Sequence, residues 1–376
     1  MMNKLPTDWK PLIRIAIKAV IFFAAINLVY AALNPLDFIG RISLYNIILP
    51  GRERLPYGEK PDESYNLNLY NVPAMFASHI ISRPKAPDEF RVLLIGDSAT
   101  WGWFQRNPDT LAAQITAQNL KIGERRVIAY NLGYPIMSLT KDLLLLDEAL
   151  NYQPDMILWP VTLASFPRDK QLFPPIVQNN AARVQGFIKT YNLKLNVNDS
   201  RFVQSDFGAR TLIGQRRALA DWLRLQTYGF SWAATGIDQV IPAKITLRQS
   251  DFEVDTKWEN YNDPTNLTND DLAFDVLAAG VKRAGNVPIL IINEPMFVSS
   301  GRNSSIRYNA FYPRWAYDAY RLLLGQQAQT NQWRYLDVWD SIAPDEFTDS
   351  PVHLTPAGAA QFARRLATVI IDNASQ

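Results

Sequence analysis

The sequence predicts an α/β protein built on a parallel sheet with helices on both faces, and three observations point there. Short apolar, β-branched runs alternate with longer segments of helical spacing from Phe90 onward. Those runs read as continuously apolar, as strands buried on both faces do. Two of them end in glycine-containing turns, Gly96-Asp97-Ser98 and Asn131-Leu132-Gly133. Such turns lie where parallel sheets build their ligand sites, at the carboxyl edge.

The elements follow in order. A first strand is expected over 91–95 and a helix over 110–120. A second strand covers 126–131, and a helix over 138–150 follows with Ser138 or Thr140 as its cap. The turn Gln153-Pro154-Asp155 launches a third strand over 156–159. The alternation then stops across 166–270, where a helix over 215–226 and aromatic loops are the main features. It resumes with a helix over 272–282, a strand over 287–292, a helix over 316–330 and a last strand over 335–338. A closing helix over 356–371 has Thr355 as cap and Pro356 at its first position.

Ahead of the sheet lies a membrane signal. Lys4, Lys10, Arg14 and Lys18 precede the apolar run 19–33. With 11–17 included, the stretch approaches the ~20 residues of a spanning helix. The positive flank is N-terminal, which places the tail in the cytoplasm and sends the rest across. The rival is a cleaved signal peptide with small residues at Ala31 and Ala32. The expected division is therefore a cytoplasmic tail (1–10), a transmembrane anchor (11–36), a connector packed on the catalytic domain (37–89), and a core formed by 90–165 and 271–376. Residues 166–270 form an insertion, read as a lid or binding subdomain. His79, in the connector, reads as a structural hydrogen-bonder.

Composition narrows the chemistry. The chain has 376 residues, 48% hydrophobic, enough for one large core with an insertion or two modest domains. Formal net charge is +2, from 38 basic and 36 acidic side chains, so no global field draws nucleic acid. The absence of cysteine excludes disulfides, thiolate metal sites and cysteine nucleophiles. Two histidines argue against a multi-histidine zinc site, and no metal or cofactor is expected.

One of those histidines, His353, lies in Asp349-Ser350-Pro351-Val352-His353-Leu354, beyond the last strand. Ser98, His353 and Asp349 are therefore expected to converge as nucleophile, general base and orienting carboxylate. The N–H groups of Ser98 and Gly133 are expected to face the oxyanion. Glu294, at a strand end, reads equally as a substrate contact or as a turn or ion-pair residue.

Gly96-Asp97-Ser98-Ala99-Thr100-Trp101-Gly102 resembles the first block of the SGNH/GDSL hydrolase superfamily. Asn131-Leu132-Gly133 resembles its second block. The run from Asp349 to Gly358, with His353 followed by Leu354, Thr355 and Pro356, resembles the last. The resemblance covers about 90–165 and 272–371. It implies a flavodoxin-like three-layer α/β/α sandwich with a five-stranded parallel sheet. It also implies Ser98 as nucleophile, Gly133 as oxyanion donor, His353 as base and Asp349 as its partner.

Two positions depart from the pattern. The superfamily's third block carries an oxyanion-binding Asn after the third strand, where this chain has Thr162-Leu163-Ala164-Ser165. Thr162, or Asn293 from the next strand end, is the substitute donor. The superfamily's acid precedes the histidine by three residues. Here that position is Ser350, and Asp349 lies one further back. Either the loop bulges or the site is a Ser–His dyad.

The expected function is a membrane-anchored, extracytoplasmic serine esterase or O-acyltransferase acting on acylated envelope glycans or lipids. A membrane O-acyltransferase is a candidate partner. The alternative is a catalytically degenerate protein of the same fold that binds glycan or scaffolds an envelope complex.

Overall fold

The computed structural model describes residues 9–58, 67–239, 241–247 and 266–374. Lys4, most of the expected cytoplasmic tail, and 248–265 of the expected insertion lie outside the described residues.

The sheet has six strands, β1 (Glu89–Gly96), β2 (Lys121–Ile122), β3 (Arg125–Gly133), β4 (Met156–Val161), β5 (Ile289–Asn293) and β6 (Arg334–Asp337). Their order is β2-β3-β1-β4-β5-β6. β3, β1, β4, β5 and β6 pair in parallel, the five strands the sequence predicts. Counted among themselves they run 2-1-3-4-5, the flavodoxin-like order. The strand not foreseen is β2. It pairs antiparallel with β3 through Lys121↔Arg126 and Ile122↔Arg125, around Gly123 at φ +59°.

Side chains alternate through the sheet into two cores, which is why the fully buried strands β1, β4 and β5 read as unbroken apolar runs. On one face Leu93, Ile95, Ile157, Trp159 and Ile291 pack with the helices Leu139–Ala149, Phe274–Ala284 and Arg314–Thr330. On the other, Val92, Leu94, Leu158, Leu290 and Ile292 meet Leu111–Ala117 and the closing helix Pro356–Ala374. A three-layer sandwich results. Gly280 lets its helix sit close to the sheet, since a Cβ there would fall on the Trp159 ring.

Local signals fix the helix starts. Ser138 is the cap of its helix, its side chain accepting from Lys141 N at 3.3 Å. Thr110 and Thr355 cap theirs by accepting from Ala113 N and Gly358 N at 3.4 and 3.0 Å.

The connector lies against the sheet domain. Trp101 Nε1 donates to Leu55 O at 3.0 Å across the contact, and within the connector Tyr45 Oη donates to Ser78 O at 2.6 Å. His79 is fully buried, its Nδ1 accepting from Ile81 N at 3.0 Å. Burial pushes its pKa down to about 4, so the ring is neutral at ordinary pH. The helix expected over 215–226 runs from Arg216 to Thr235. Gly229 does not end it; the glycine instead seats the Tyr45 ring, where a Cβ would clash.

The N-terminal helix Trp9–Leu33 has 25 residues, and a window of it reaches a mean hydropathy of 2.2. It is long and apolar enough to cross a bilayer.

Candidate active site

The serine turn is built where β1 ends. Asp97 caps the single helical turn Ser98–Trp101, its Oδ1 accepting from Ala99 N at 2.8 Å. Gly102 closes that turn in the left-handed region at φ +84°, its N–H donating to Ser98 O at 3.0 Å. Gly96 and Gly133 face each other in register on β1 and β3. A Cβ on Gly133 would fall on the Trp101 backbone, and one on Gly96 on the Thr100 hydroxyl. The two glycines thus make room for the turn that presents Ser98 at the edge of the sheet.

The histidine arrives from the other end of the chain. An isolated bridge pairs Phe347 with Leu354, and Thr348 N donates to His353 O at 2.9 Å. Inside this loop His353 N donates to Ser350 O at 3.4 Å. The resulting turn swings Asp349 back toward the imidazole. His353 Nε2 lies 2.9 Å from Ser98 Oγ, and His353 Nδ1 lies 3.3 Å from Asp349 Oδ1. The loop therefore absorbs the extra residue of spacing, and Asp349 rather than Ser350 faces the ring.

The Asp349 carboxyl is set by opposing effects. Burial raises its pKa, but the hydrogen bond and charge of His353 and the Thr348 hydroxyl, donating at 2.9 Å, outweigh it. The group sits below the usual carboxylate range. An ionised Asp349 favours the ring proton on Nδ1. Nε2 then offers its lone pair to the Ser98 hydroxyl, the polarity a general base needs.

Three residues that sequence reasoning missed frame this arrangement. Trp103 stacks on His353 with ring centroids 5.7 Å apart and planes at 20°. Gln105 Nε2 donates to Leu354 O at 2.9 Å and ties the serine loop to the histidine loop. Arg54, from the connector, donates to Gly102 O at 3.1 Å and also to Gln105 O, with its guanidinium over the Trp101 ring. The only signal for Trp103 and Gln105 in the sequence is their place just beyond the serine block.

The expected oxyanion donors are arranged differently. Ser98 N–H stands in the first turn of its helix, where N–H groups have no intrahelical acceptor. Gly133 N–H is committed to Asn131 Oδ1 at 3.1 Å. Thr162 is buried and donates to Tyr312 Oη at 2.9 Å. Asn293 is also buried; its Nδ2 donates to Asp337 Oδ1 at 2.9 Å, and its Oδ1 accepts from Tyr317 and Tyr320 at 3.3 and 3.2 Å. Thr162 and Asn293 belong to a buried polar network with these tyrosines, and neither is bonded to Ser98 or His353.

Buried charge lies behind the turn. Lys141 Nζ donates to Gly96 O at 2.7 Å and Tyr134 O at 3.2 Å, and pairs with Asp142. It thus holds the carboxyl ends of β1 and β3 together. Asp142 also accepts from Trp159 Nε1 at 3.2 Å, and burial holds its pKa up. Glu294 is buried too, and burial together with Asp97 and Asp142 drives its pKa well above the normal range. It lines a small cavity with Ala99, Thr100 and Gln105, beside the serine turn. Among the described residues no group of His, Asp or Glu side chains is placed to hold a metal ion.

No protein-family profile and no curated protein matches this chain. Several solved structures are similar to it. A carbohydrate acetylesterase from Sinorhizobium meliloti is 10% identical, with 76% of this chain and 100% of that one covered and a TM-score of 0.34. An aryl esterase from M. smegmatis is 11% identical, covering 75% and 98%, with a TM-score of 0.34. A lipase/acylhydrolase from Enterococcus faecalis is 13% identical, covering 75% and 96%, with a TM-score of 0.37. At these values the likeness carries no functional argument, and the case stands on strand order and side-chain geometry.

Proposed function

We propose that the protein is a serine ester hydrolase or O-acyltransferase of SGNH type, held to the membrane by its N-terminal helix with the sheet domain on the extracytoplasmic side. The observation that carries this reading is the Ser98 Oγ to His353 Nε2 separation of 2.9 Å, across 255 residues of sequence, with Asp349 behind the ring. Ser98 attacks the acyl carbon while His353 takes its proton. Asp349 stabilises the imidazolium that forms. His353 then returns the proton to the leaving alkoxide, and water or a sugar hydroxyl resolves the acyl-enzyme. Ser98 N–H contributes to the oxyanion site from the first turn of its helix. Gly133 N–H joins it when the Asn131 side chain releases it. One such donor is worth about 3 kcal/mol of barrier in a serine protease. An enzyme anchored to face outward meets acylated envelope glycans or lipids, with a membrane O-acyltransferase as a candidate supplier of acyl groups.

The test is turnover of a simple aryl acetate and of an O-acetylated glycan by the full-length protein in detergent. The reading expects hydrolysis, or transfer to added glycan, that Ser98→Ala and His353→Ala abolish. Turnover unchanged by both substitutions refutes it.

A second reading draws on the committed state of Gly133, Thr162 and Asn293. An oxyanion site with one free donor also suits a degenerate member of the fold that binds glycan without turning it over. Glycan affinity equal in wild type and Ser98→Ala, with no product from either, favours that alternative.

A further inference from the structure

Past the end of the N-terminal helix, the chain exposes large apolar side chains where a soluble surface carries polar ones. Phe38 is 72% exposed, Ile47 76% and Ile48 66%. Ile213 and Leu223, from the insertion, are about half exposed. Scattered apolar residues on a surface mean little, but a contiguous set marks an interaction site.

These segments are bolted to one another and to the helix. Asn27 Oδ1 accepts from Ile213 N at 3.2 Å, and Gln215 Nε2 donates to Asn34 Oδ1 at 3.0 Å. The Gln226 side chain accepts from Leu44 N at 2.7 Å and donates to Ile42 O at 3.2 Å, while Tyr45 fills the space over Gly229. The position of the patch along the helix is therefore fixed. Asn27 lies six residues inside the helix end at Leu33, ~9 Å along the axis. Whatever is bonded to it stands at headgroup level if the helix crosses a bilayer with its end at the surface, because the headgroup layer is about 5–8 Å deep on each side.

We propose that the helix Leu44–Ile48 and the insertion edge from Phe207 to Leu223 form a collar that beds in the lipid of the same bilayer the N-terminal helix crosses. The inference rests on that membrane-spanning reading. The occupant is lipid because hydrogen bonds from Asn27, inside the helix, and Asn34, just past its end, hold the insertion edge against the segment that crosses the bilayer. Arg216 and Arg217, exposed beside it, supply the cationic rim that faces phosphate headgroups. The sheet domain then lies against the membrane in one orientation instead of swinging from a tether, and the insertion serves as its platform.

The chain has no cysteine, so single cysteines can be placed at will. The full-length protein carrying Ile47→Cys, Leu223→Cys, Ala25→Cys or Leu322→Cys is labelled with an environment-sensitive NBD fluorophore. Each is reconstituted as one copy per nanodisc of phosphatidylcholine and phosphatidylglycerol, with or without a shallow nitroxide lipid. Ala25, in the helix, reports the anchor, and Leu322, exposed on the helix Arg314–Thr330, reports the aqueous side. The proposal expects blue-shifted emission and at least two-fold nitroxide quenching at 25, 47 and 223, with none at 322. Quenching at 25 alone, with 47 and 223 open to aqueous iodide, overturns the collar and leaves the anchor standing. Shielding of 47 and 223 from iodide without lipid quenching means a protein partner covers the patch and also overturns it. No quenching at 25 defeats the anchor reading and the collar with it.

Discussion

The Gln105 side-chain amide donates to the Leu354 carbonyl at 2.9 Å, joining the loop that follows Ser98 to the residue that follows His353. Replacing Gln105 with alanine frees the histidine loop to drift. A displacement of about 1 Å of a catalytic group costs on the order of 100-fold in rate. Gln105→Ala is expected to lower kcat on an aryl ester by about 10–100-fold with a smaller change in KM, measured by steady-state kinetics. An unchanged kcat removes Gln105 from the positioning of His353.

Gly133 gives a steric test of the same turn. A methyl group there would fall on the backbone of Trp101. Gly133→Ala is expected to push the turn outward, abolish esterase activity and cost about 1–3 kcal/mol of stability, as overpacking does. Chemical denaturation and an activity assay on the same preparation check both.

Lys141 is fully buried and supplies hydrogen bonds to Gly96 O and Tyr134 O, besides its pairing with Asp142. Removing it strands a buried carboxylate and two carbonyls. Lys141→Met is expected to destabilise the fold by about 3–5 kcal/mol, the usual effect of breaking a buried pair from one side. Lys141→Met, Asp142→Leu together should recover part of that loss, as read by denaturant midpoints.

His79 makes a pH prediction. Its pKa falls from 6.5 in the unfolded chain to about 4 when folded, because burial disfavours the imidazolium. The unfolded chain therefore binds the proton first as pH drops. Stability is full above about 6.5 and declines toward pH 4, by roughly 3 kcal/mol for a shift of this size. His79→Asn keeps an acceptor for Ile81 N but does not titrate. The stability difference between wild type and this variant should shrink or reverse between pH 7 and 4. A difference flat across that range contradicts the assignment.

Asp349 behaves in the same direction at lower pH. Its folded pKa lies below the unfolded value, so its contribution is present above about pH 4 and is lost as pH falls through the folded pKa. The side chain is 45% exposed, so the effect on stability is small and activity is the better readout. Asp349→Asn is expected to lower kcat while leaving the fold intact.

The central strands β1, β4 and β5 were readable because strands buried on both faces leave unbroken apolar runs, and Ser138 and Thr355 announce their helices as caps. β2 was not readable: two residues, Lys121 and Ile122, are too short to show a pattern. The helix expected over 215–226 runs on to Thr235, and the Tyr45 ring seated over Gly229 is a contact no local pattern shows. The sequence places Ser98 and His353 in loops beyond strand ends, and the structure sets Ser98 Oγ 2.9 Å from His353 Nε2 and Asp349 Oδ1 3.3 Å from its Nδ1. What joins Asp349 to His353 across an unexpected spacing is a turn, visible only in three dimensions. Thr162 and Asn293 bond to distant tyrosines and to Asp337, partners that local sequence does not show. A polar residue at a strand end can face the cleft or the interior, and the tyrosines that draw these two inward come from a distant segment, 312–320.

The most direct test is covalent labelling of the full-length protein with a fluorophosphonate, followed by mass spectrometry of the peptide that carries the adduct. The account predicts a single adduct on Ser98, lost in Ser98→Ala and formed far more slowly in His353→Ala. An adduct on another residue, or wild-type protein inert under conditions that label an ordinary esterase, contradicts a nucleophilic Ser98.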